Sequence, residues 1–396
     1  MVDQPAGDRA RMSLAIASIK AFYLRTALPE PLGSALGWSE QRTTVLVRVT
    51  TEDGSQGWGE AGIGAVPALV PIVEELIAPR LIGRNVLDRQ GLVDGVANEL
   101  KAAGQRGLLL QALSGVDIAV WDVVGKVLGQ PVHRLLGGSP AKEVPVYATG
   151  LYYRKTDSLS ELSRLRTDEA LGLCELGVQG IKMKIGLLST GDDLRQVETI
   201  KNAVGDGVDL MVDANQAYDR PTARRVARSL ADLGVLWFEE PIANEDLDGL
   251  RELRLGSDVA IAGGETDSSA AAFQAIARAN ALDIVQPDIC MAGGYTELSR
   301  IFHLAEAAHL GVCLHFWGSG VSLGASLQMA AVQSSATKVR SSRLESPQLE
   351  FDQTPNPLRE SLTPNCLELA DGKLAVSDAP GIGVDIDLKA IERFAG

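Results

Sequence analysis

Lys182 and Lys184 flank Met183 at the end of the apolar run Val178 to Ile185, with Gly180 before them and Gly186 after. On a β-strand alternate side chains share a face, so the two lysines point together while Met183 points into packing. Two ammonium groups on one inward face are costly unless an anion lies beside them. Downstream the candidate groups recur in order: Asp213 in Val212-Asp213-Ala214-Asn215, then Glu239-Glu240-Pro241, Gly264-Glu265, Pro287-Asp288 and His315. Asp213, Glu239 and Glu265 brought into one mouth would repel one another unless a cation sat among them. An all-oxygen donor set favours a hard ion, and magnesium is the expected one. Alternation turns only one of Glu239 and Glu240 inward, and periodicity alone does not choose between them. Lys184 and His315 read as facing each other across the mouth, with Asp288 placed to fix the tautomer and charge of His315. Taken singly, each residue has an ordinary explanation: edge-blocking lysines, rim carboxylates, a hydrogen-bonded core histidine. The ordered series is what argues for a site. His303 and His309 fall in a helical stretch and read as surface or packing residues, and His133 carries no signal.

The elements that must carry these residues are short apolar runs, each followed by a helical stretch. The runs are Val144 to Ala148, Gly180 to Lys184, Asp209 to Asp213, Val235 to Glu239, Val259 to Gly263, Asp283 to Gln286, Val312 to His315, and a weaker eighth near Leu349 to Phe351. Ser158 with Glu161 forms a capping box and Gly177 is placed as a C-cap. The α/β pattern predicts a (β/α)8 barrel over 139–367, in which reactive groups lie at the C-terminal ends of strands. A doubly wound sheet is the alternative; no G-x-G-x-x-G follows the first strand. Before the barrel, Ala15 to Thr26, Thr43 to Thr51 and Gly57 to Glu60 read as strands, with a hairpin turn at Glu52-Asp53-Gly54. Leu28 to Ser39, rich in Pro and Gly, reads as a mobile loop. Val66 to Ile77 and Leu108 to Val127 have helical periodicity. This makes an α+β unit over 13–138, preceded by a disordered tail over 1–12.

Net charge is −14, which argues against a general nucleic-acid binder, since that needs a basic face. Cys174, Cys290, Cys313 and Cys366 are scattered without a C-x-x-C pair and read as reduced thiols of a cytoplasmic protein. The start lacks the apolar core of a signal peptide, and no uninterrupted apolar stretch suggests a membrane partner.

As a set, the K-x-K strand, D-x-N, E-E-P, G-G-E, P-D before Gly293-Gly294 and the histidine of the seventh strand resemble the enolase superfamily, in particular its mandelate racemase subgroup. The resemblance covers nearly the whole chain after the tail. It implies a modified (β/α)8 barrel under an N-terminal α+β cap, the cap being completed by about 368–396. It implies Asp213, Glu239 and Glu265 as magnesium ligands, and so Glu239 rather than Glu240. It further implies Lys184 as one acid/base and the His315–Asp288 dyad as the other. Lys182 and Asn215 would contact the substrate carboxylate. Glu350 matches an eighth-strand glutamate that helps bind an enolate, with Glu345 close by. Gly104-Gln105-Arg106-Gly107, His315-Phe316-Trp317-Gly318-Ser319-Gly320 and Glu350-Phe351-Asp352 are similar to the acid-sugar branch, which holds galactarolactone cycloisomerases and aldonate or aldarate dehydratases.

The implied chemistry is removal of the proton α to a carboxylate, through an enolate. The base must be partly neutral near pH 7, and Lys182 with the metal is expected to lower the pKa of Lys184. Dehydration or lactone ring opening is the expected outcome, with a racemase or epimerase as the second. A silent sugar-acid binder is the alternative of another class, and a barrel phosphate site at Gly318-Ser319-Gly320 a further one. The loops 28–39 and 62–67 are expected to close the mouth, with Trp38 and Arg42 as candidate substrate contacts. A homo-oligomer built of dimers is the expected assembly.

Overall fold

The computed structural model describes residues 14–138, 143–334, 336–339, 348–364 and 369–396. The tail over 1–12, the joints at 139 and 367–368, Glu345 and Cys366 lie outside these. The N-terminal part is a three-stranded antiparallel sheet in the order β1 (Ile16–Ser34), β2 (Gly37–Thr51), β3 (Gln56–Ala61). The turn between β2 and β3 falls where Glu52-Asp53-Gly54 places it. Asp53 Oδ1 accepts from Ser55 N at 3.0 Å, and Gly54 has a φ of +86°. A Cβ at Gly57 or Gly59 would lie 2.1 Å from a backbone oxygen of the long cap helix, so these glycines let β3 lie against it.

Leu28 to Ser39 is not a loop. The ladder shifts register between Ala27 and Leu32, where Pro29 and Pro31 have no N–H to give, and then resumes as Leu32↔Ser39, Gly33↔Trp38 and Ser34↔Gly37. The composition signalled a break, but two prolines at a bulge interrupt a ladder without ending it. Gly33 and Tyr153 exchange both backbone hydrogen bonds at 2.9 Å, so the hairpin tip is pinned to the barrel.

The helical pattern near Val66 appears as one helix over 69–81 whose middle, Ile72–Ile77, is π-helical. The long cap helix, Leu108–Leu128, ends at Gly129 in the left-handed region, φ +64°. Its length and its mean hydropathy of 1.5 would suit a membrane span, yet 89% of that stretch is buried inside the protein.

From residue 143 the chain builds parallel strands β4 (Glu143–Thr149), β5 (Gly180–Lys184), β6 (Asp209–Asp213), β7 (Trp237–Glu239), β8 (Ala260–Gly263), β9 (Ile284–Val285), β10 (Gly311–Val312) and β11 (Leu349–Asp352). They pair in chain order from β4 to β10, and β11 returns to pair with β4. The remaining gap is spanned by Leu314 N to Gln348 O and Glu350 N to Leu314 O, both 2.9 Å. β9 and β10 are shorter than the sequence suggests, so Asp288 and His315 sit three residues beyond their strands. After the barrel, β12 (Leu369–Ala370) and β13 (Lys373–Ala375) form a hairpin on β4. The last helix, Leu388–Phe394, brings Gly396 N within 3.3 Å of Tyr23 O on β1.

Candidate active site

β5, β6 and β7 end side by side, with Lys184 opposite Asp213 and Asp213 opposite Glu239 in register. β8 ends at Gly263, two residues before Glu265. Single carboxylate oxygens of Asp213, Glu239 and Glu265 all lie within 4.8 Å of one another, and all three residues are buried. The set fits a hard divalent cation. It offers oxygen donors alone, and Glu265 Oε2 is buried and accepts no hydrogen bond of good geometry, with the His315 ring as its ion-pair contact. Asp213 is aimed by Asn215, whose N–H donates to Oδ1 at 2.8 Å and whose Nδ2 donates to Oδ2 at 3.1 Å. Glu239 Oε2 accepts from Gln286 Nε2 at 2.7 Å and from the Trp237 indole at 3.2 Å.

Lys184 and His315 lie at opposite ends of this row. Lys184 Nζ donates to Asp213 Oδ2. His315 Nε2 is 3.1 Å from Glu265 Oε2, and its Nδ1 is 2.9 Å from Asp288 Oδ2. Asp288 is held in turn by Cys290 N, 2.7 Å from Oδ1. Burial opposes a charge on His315, but Glu265, Glu350 and the bond to Asp288 outweigh it and lift the imidazolium to about 10.

Lys182 lies fully buried beside the triad. Its Nζ is 2.7 Å from Glu239 Oε1 and 3.1 Å from Glu350 Oε1. Glu350 also accepts from Thr149 Oγ1. Against the cost of its burial, Lys182, His315 and Lys184 pull the Glu350 carboxyl down. Glu239 is pushed up, first by burial and then, despite Lys182, by Asp213, Glu350 and Glu265. Two ammonium groups and an imidazolium face five carboxylates here, Asp213, Glu239, Glu265, Asp288 and Glu350, and the surplus negative charge is what a divalent ion would offset.

The expected lowering of the Lys184 pKa counted on a metal beside Lys182, and without that ion the buried carboxylates set the balance. Burial pulls Lys184 down, but Asp213, then Tyr152, Glu265 and Glu239 raise it well above its ordinary value. The carboxylates facing Lys184 set the direction, and a neighbouring lysine does not reverse it.

Of the two adjacent glutamates, Glu239 and not Glu240 belongs to the three-oxygen cluster, in line with alternation. Glu240 is buried like Glu239, with a φ of +40° that kinks the chain past the strand end. Its Oε1 accepts from Asn244 at 2.5 Å and its Oε2 from Gln216 at 3.3 Å, apart from the three-oxygen cluster.

Arg42 is committed elsewhere than expected. It donates to Asp352 Oδ2 at 2.7 Å, to Thr354 Oγ1 and to Pro355 O at 3.2 Å, and lies over the Trp317 ring at 4.0 Å. It clamps the cap to the end of β11. Trp38 is half-exposed on the hairpin tip, beside Gly33. In the loop after β3, Gly64 lies beside Trp317. His133 is fully buried, its Nδ1 2.7 Å from Gln328 Oε1, although nothing in its flanking sequence signalled a partner. Gly318-Ser319-Gly320 is no phosphate cradle, because the carboxylate of Glu60 already occupies the helix start there.

Tyr152 and Glu60 were not anticipated. Tyr152 is buried with Leu28 and Leu32, and the Lys184 ammonium lies 5.4 Å from its ring. No short motif marked either residue. Only the hairpin that brings the cap down on the barrel gives them their surroundings.

Comparison with known proteins agrees with this geometry. Residues 166–390 match the family described as "Enolase C-terminal domain-like", and residues 18–137 match "Mandelate racemase / muconate lactonizing enzyme, N-terminal domain". The chain is 35% identical over 384 residues to a D-galactarolactone cycloisomerase of Agrobacterium fabrum, covering 96% of this chain and 98% of that one. It is 34% identical to an arabinonate dehydratase of Saccharolobus solfataricus over 88% of this chain and 90% of that one. A racemase from Streptomyces coelicolor A3(2), solved with bound magnesium, superposes with a TM-score of 0.84 at 27% identity, covering 96% of this chain and 100% of that one. A barrel with a carboxylate triad, capped by an α+β unit, and two family models that together span most of its length place the chain in the mandelate racemase/muconate lactonizing enzyme family of the enolase superfamily.

Proposed function

We propose that the protein is a magnesium-dependent lyase or isomerase that removes the proton α to the carboxylate of an acid sugar or its lactone, and completes a β-elimination. The observation that carries this reading is the row itself: three buried carboxylates within reach of one ion, with Lys184 at one end and His315 at the other. Asp213, Glu239 and Glu265 would hold the ion. Magnesium on that triad would supply Lewis-acid stabilisation of the enolate and would offset the carboxylates that hold Lys184 charged.

The chain's own residues divide the proton work. Lys184, relieved of that charge, takes the α-proton as base. His315, kept protonated by Asp288 and Glu350, delivers a proton to a leaving β-hydroxyl, which departs as water. A lactone carboxylate needs no such proton and leaves with the bonding electron pair as the ring opens. Lys182 and Asn215 orient the substrate carboxylate, and Glu350 sets the charge on Lys182 and His315. A reading as racemase or epimerase rests on the same two carriers at opposite ends, with the proton returned to the other face.

The test is a panel of aldonates, aldarates and their lactones with magnesium in deuterated water, followed by proton NMR. Loss of a β-hydroxyl or ring opening, with deuterium at the new methylene, supports elimination. Exchange at the α-carbon with inversion and no elimination selects the racemase. Neither on any acid sugar overturns the substrate class.

A further inference from the structure

We propose that Glu60, on the cap, is a positioning residue for the His315–Asp288 pair, holding both loops that carry it through one hydrogen-bonded network. This rests on the proton-transfer roles given to that pair above.

Glu60 lies near the end of β3 and is 1% exposed. Its carboxylate accepts from Thr44 Oγ1 at 2.7 Å within the cap, and from Ser319 N at 3.0 Å, Ser319 Oγ at 2.5 Å and Ser322 N at 3.0 Å on the barrel. Ser319 is the N-cap of the helix Gly320–Ala330, which starts five residues after His315. A carboxylate there satisfies N–H groups that have no partner inside the helix and meets the positive end of its dipole. A Cβ on Gly318 would sit 3.0 Å from Glu60 Oε1 and 2.7 Å from Ser322 Cβ, so the loop approaches this closely only through glycine.

The same strand end reaches the other loop. Gly62 N donates to Cys290 O at 3.1 Å. Cys290 Sγ lies 3.3 Å from Ser322 Oγ, tying the two loops together. Cys290 N then donates to Asp288 Oδ1, and Asp288 Oδ2 meets His315 Nδ1. The path runs from Glu60 through Ser322, Cys290 and Asp288 to His315 without touching Asp213 or Glu239. The cap thus fixes the histidine end of the site separately from those ion-holding carboxylates.

The test is Glu60→Gln, which keeps the shape but turns one acceptor into a donor facing donors. Thermal midpoint, its rise with magnesium chloride, steady-state kinetics and backbone amide exchange are measured against the unsubstituted protein. With a turned-over acid sugar, kcat falls at least about tenfold, KM stays within about twofold, and the magnesium response is kept. Amide exchange quickens in peptides covering 286–293 and 313–323 and nowhere else. A kcat within about twofold of the parent overturns the proposal, as does a loss of kcat matched by loss of the magnesium response and by exchange throughout the chain. If the parent turns over no acid sugar, the functional reading fails by itself. The exchange pattern still decides this proposal: quickening confined to the two loops supports it, and none overturns it. If Glu60→Gln does not fold, Ser322→Ala cuts the same path at the Cys290 link, and unchanged exchange in both peptides overturns it.

Discussion

Lys184 and His315 differ in what surrounds them, and that difference carries the chemistry. Each meets one carboxylate of the triad, Lys184 Asp213 and His315 Glu265, but His315 is also held from behind by Asp288. Replacing either carrier should abolish turnover while leaving the cation site. Lys184→Ala and His315→Asn are each expected to lower kcat by roughly 10²- to 10⁴-fold, with a parent-like thermal response to magnesium. Loss of that response would mean the residue holds the site together and does not move protons. At this scale the sequence was most informative. Lys182, Lys184, Asp213, Glu239, Glu265, Asp288 and His315 meet in one mouth because each sits at or just past the end of a parallel strand, where spacing alone could place it. Hidden from it were contacts that depend on non-local packing: the commitment of Arg42 to the end of β11 and the Tyr152 ring beside Lys184.

The hairpin and the long cap helix set how the cap meets the barrel. Gly33 is squeezed between Tyr153 and Trp38: a Cβ there would lie 2.8 Å from Tyr153 Cβ and 2.9 Å from the Trp38 ring. Gly33→Val should push the tip off Tyr153 and disturb the packing of Leu28 and Leu32 on Tyr152. The expected result is a KM raised several-fold with a smaller change in kcat, and a stability loss of about 1–3 kcal/mol in a denaturant titration. The strand continuity behind this was not legible, because prolines and glycines read as a loop until a partner strand supplies the register.

Asp117, on the long cap helix, binds Thr296 through N at 3.1 Å and Oγ1 at 2.5 Å. Burial pushes its carboxyl up to about 7, against those hydrogen bonds. The folded state therefore holds this proton where the unfolded chain has released it. Asp117 adds stability fully below its ordinary carboxylate range, and that stability is lost as pH rises from about 4 through about 7. Asp117→Asn removes the loss, so the stability of parent minus variant should fall by a few kcal/mol between pH 5 and pH 8. A difference independent of pH would show that Asp117 is ionised throughout.

Across the molecule, cap and barrel form one body around a mouth with surplus negative charge. The order of strands was legible because a βα unit repeats along the chain. The return of the C-terminus to the cap was legible only through the family resemblance, since no periodic pattern marks a segment that packs after the barrel is built. An ion that bound the folded triad and not the unfolded chain would stabilise the fold, so magnesium should raise the thermal midpoint, contributing about 2.7 kcal/mol at a hundredfold excess over its dissociation constant. Glu239→Gln should remove that rise. The most direct test of the central claim is deuterium incorporation at the new methylene, the former β-carbon, of a turned-over acid sugar, in deuterated water, with magnesium and then with excess EDTA. The account predicts deuterium at that carbon with magnesium and none with EDTA or in Asp213→Asn. Elimination that proceeds unchanged in EDTA, or that leaves the product free of solvent deuterium, would contradict it.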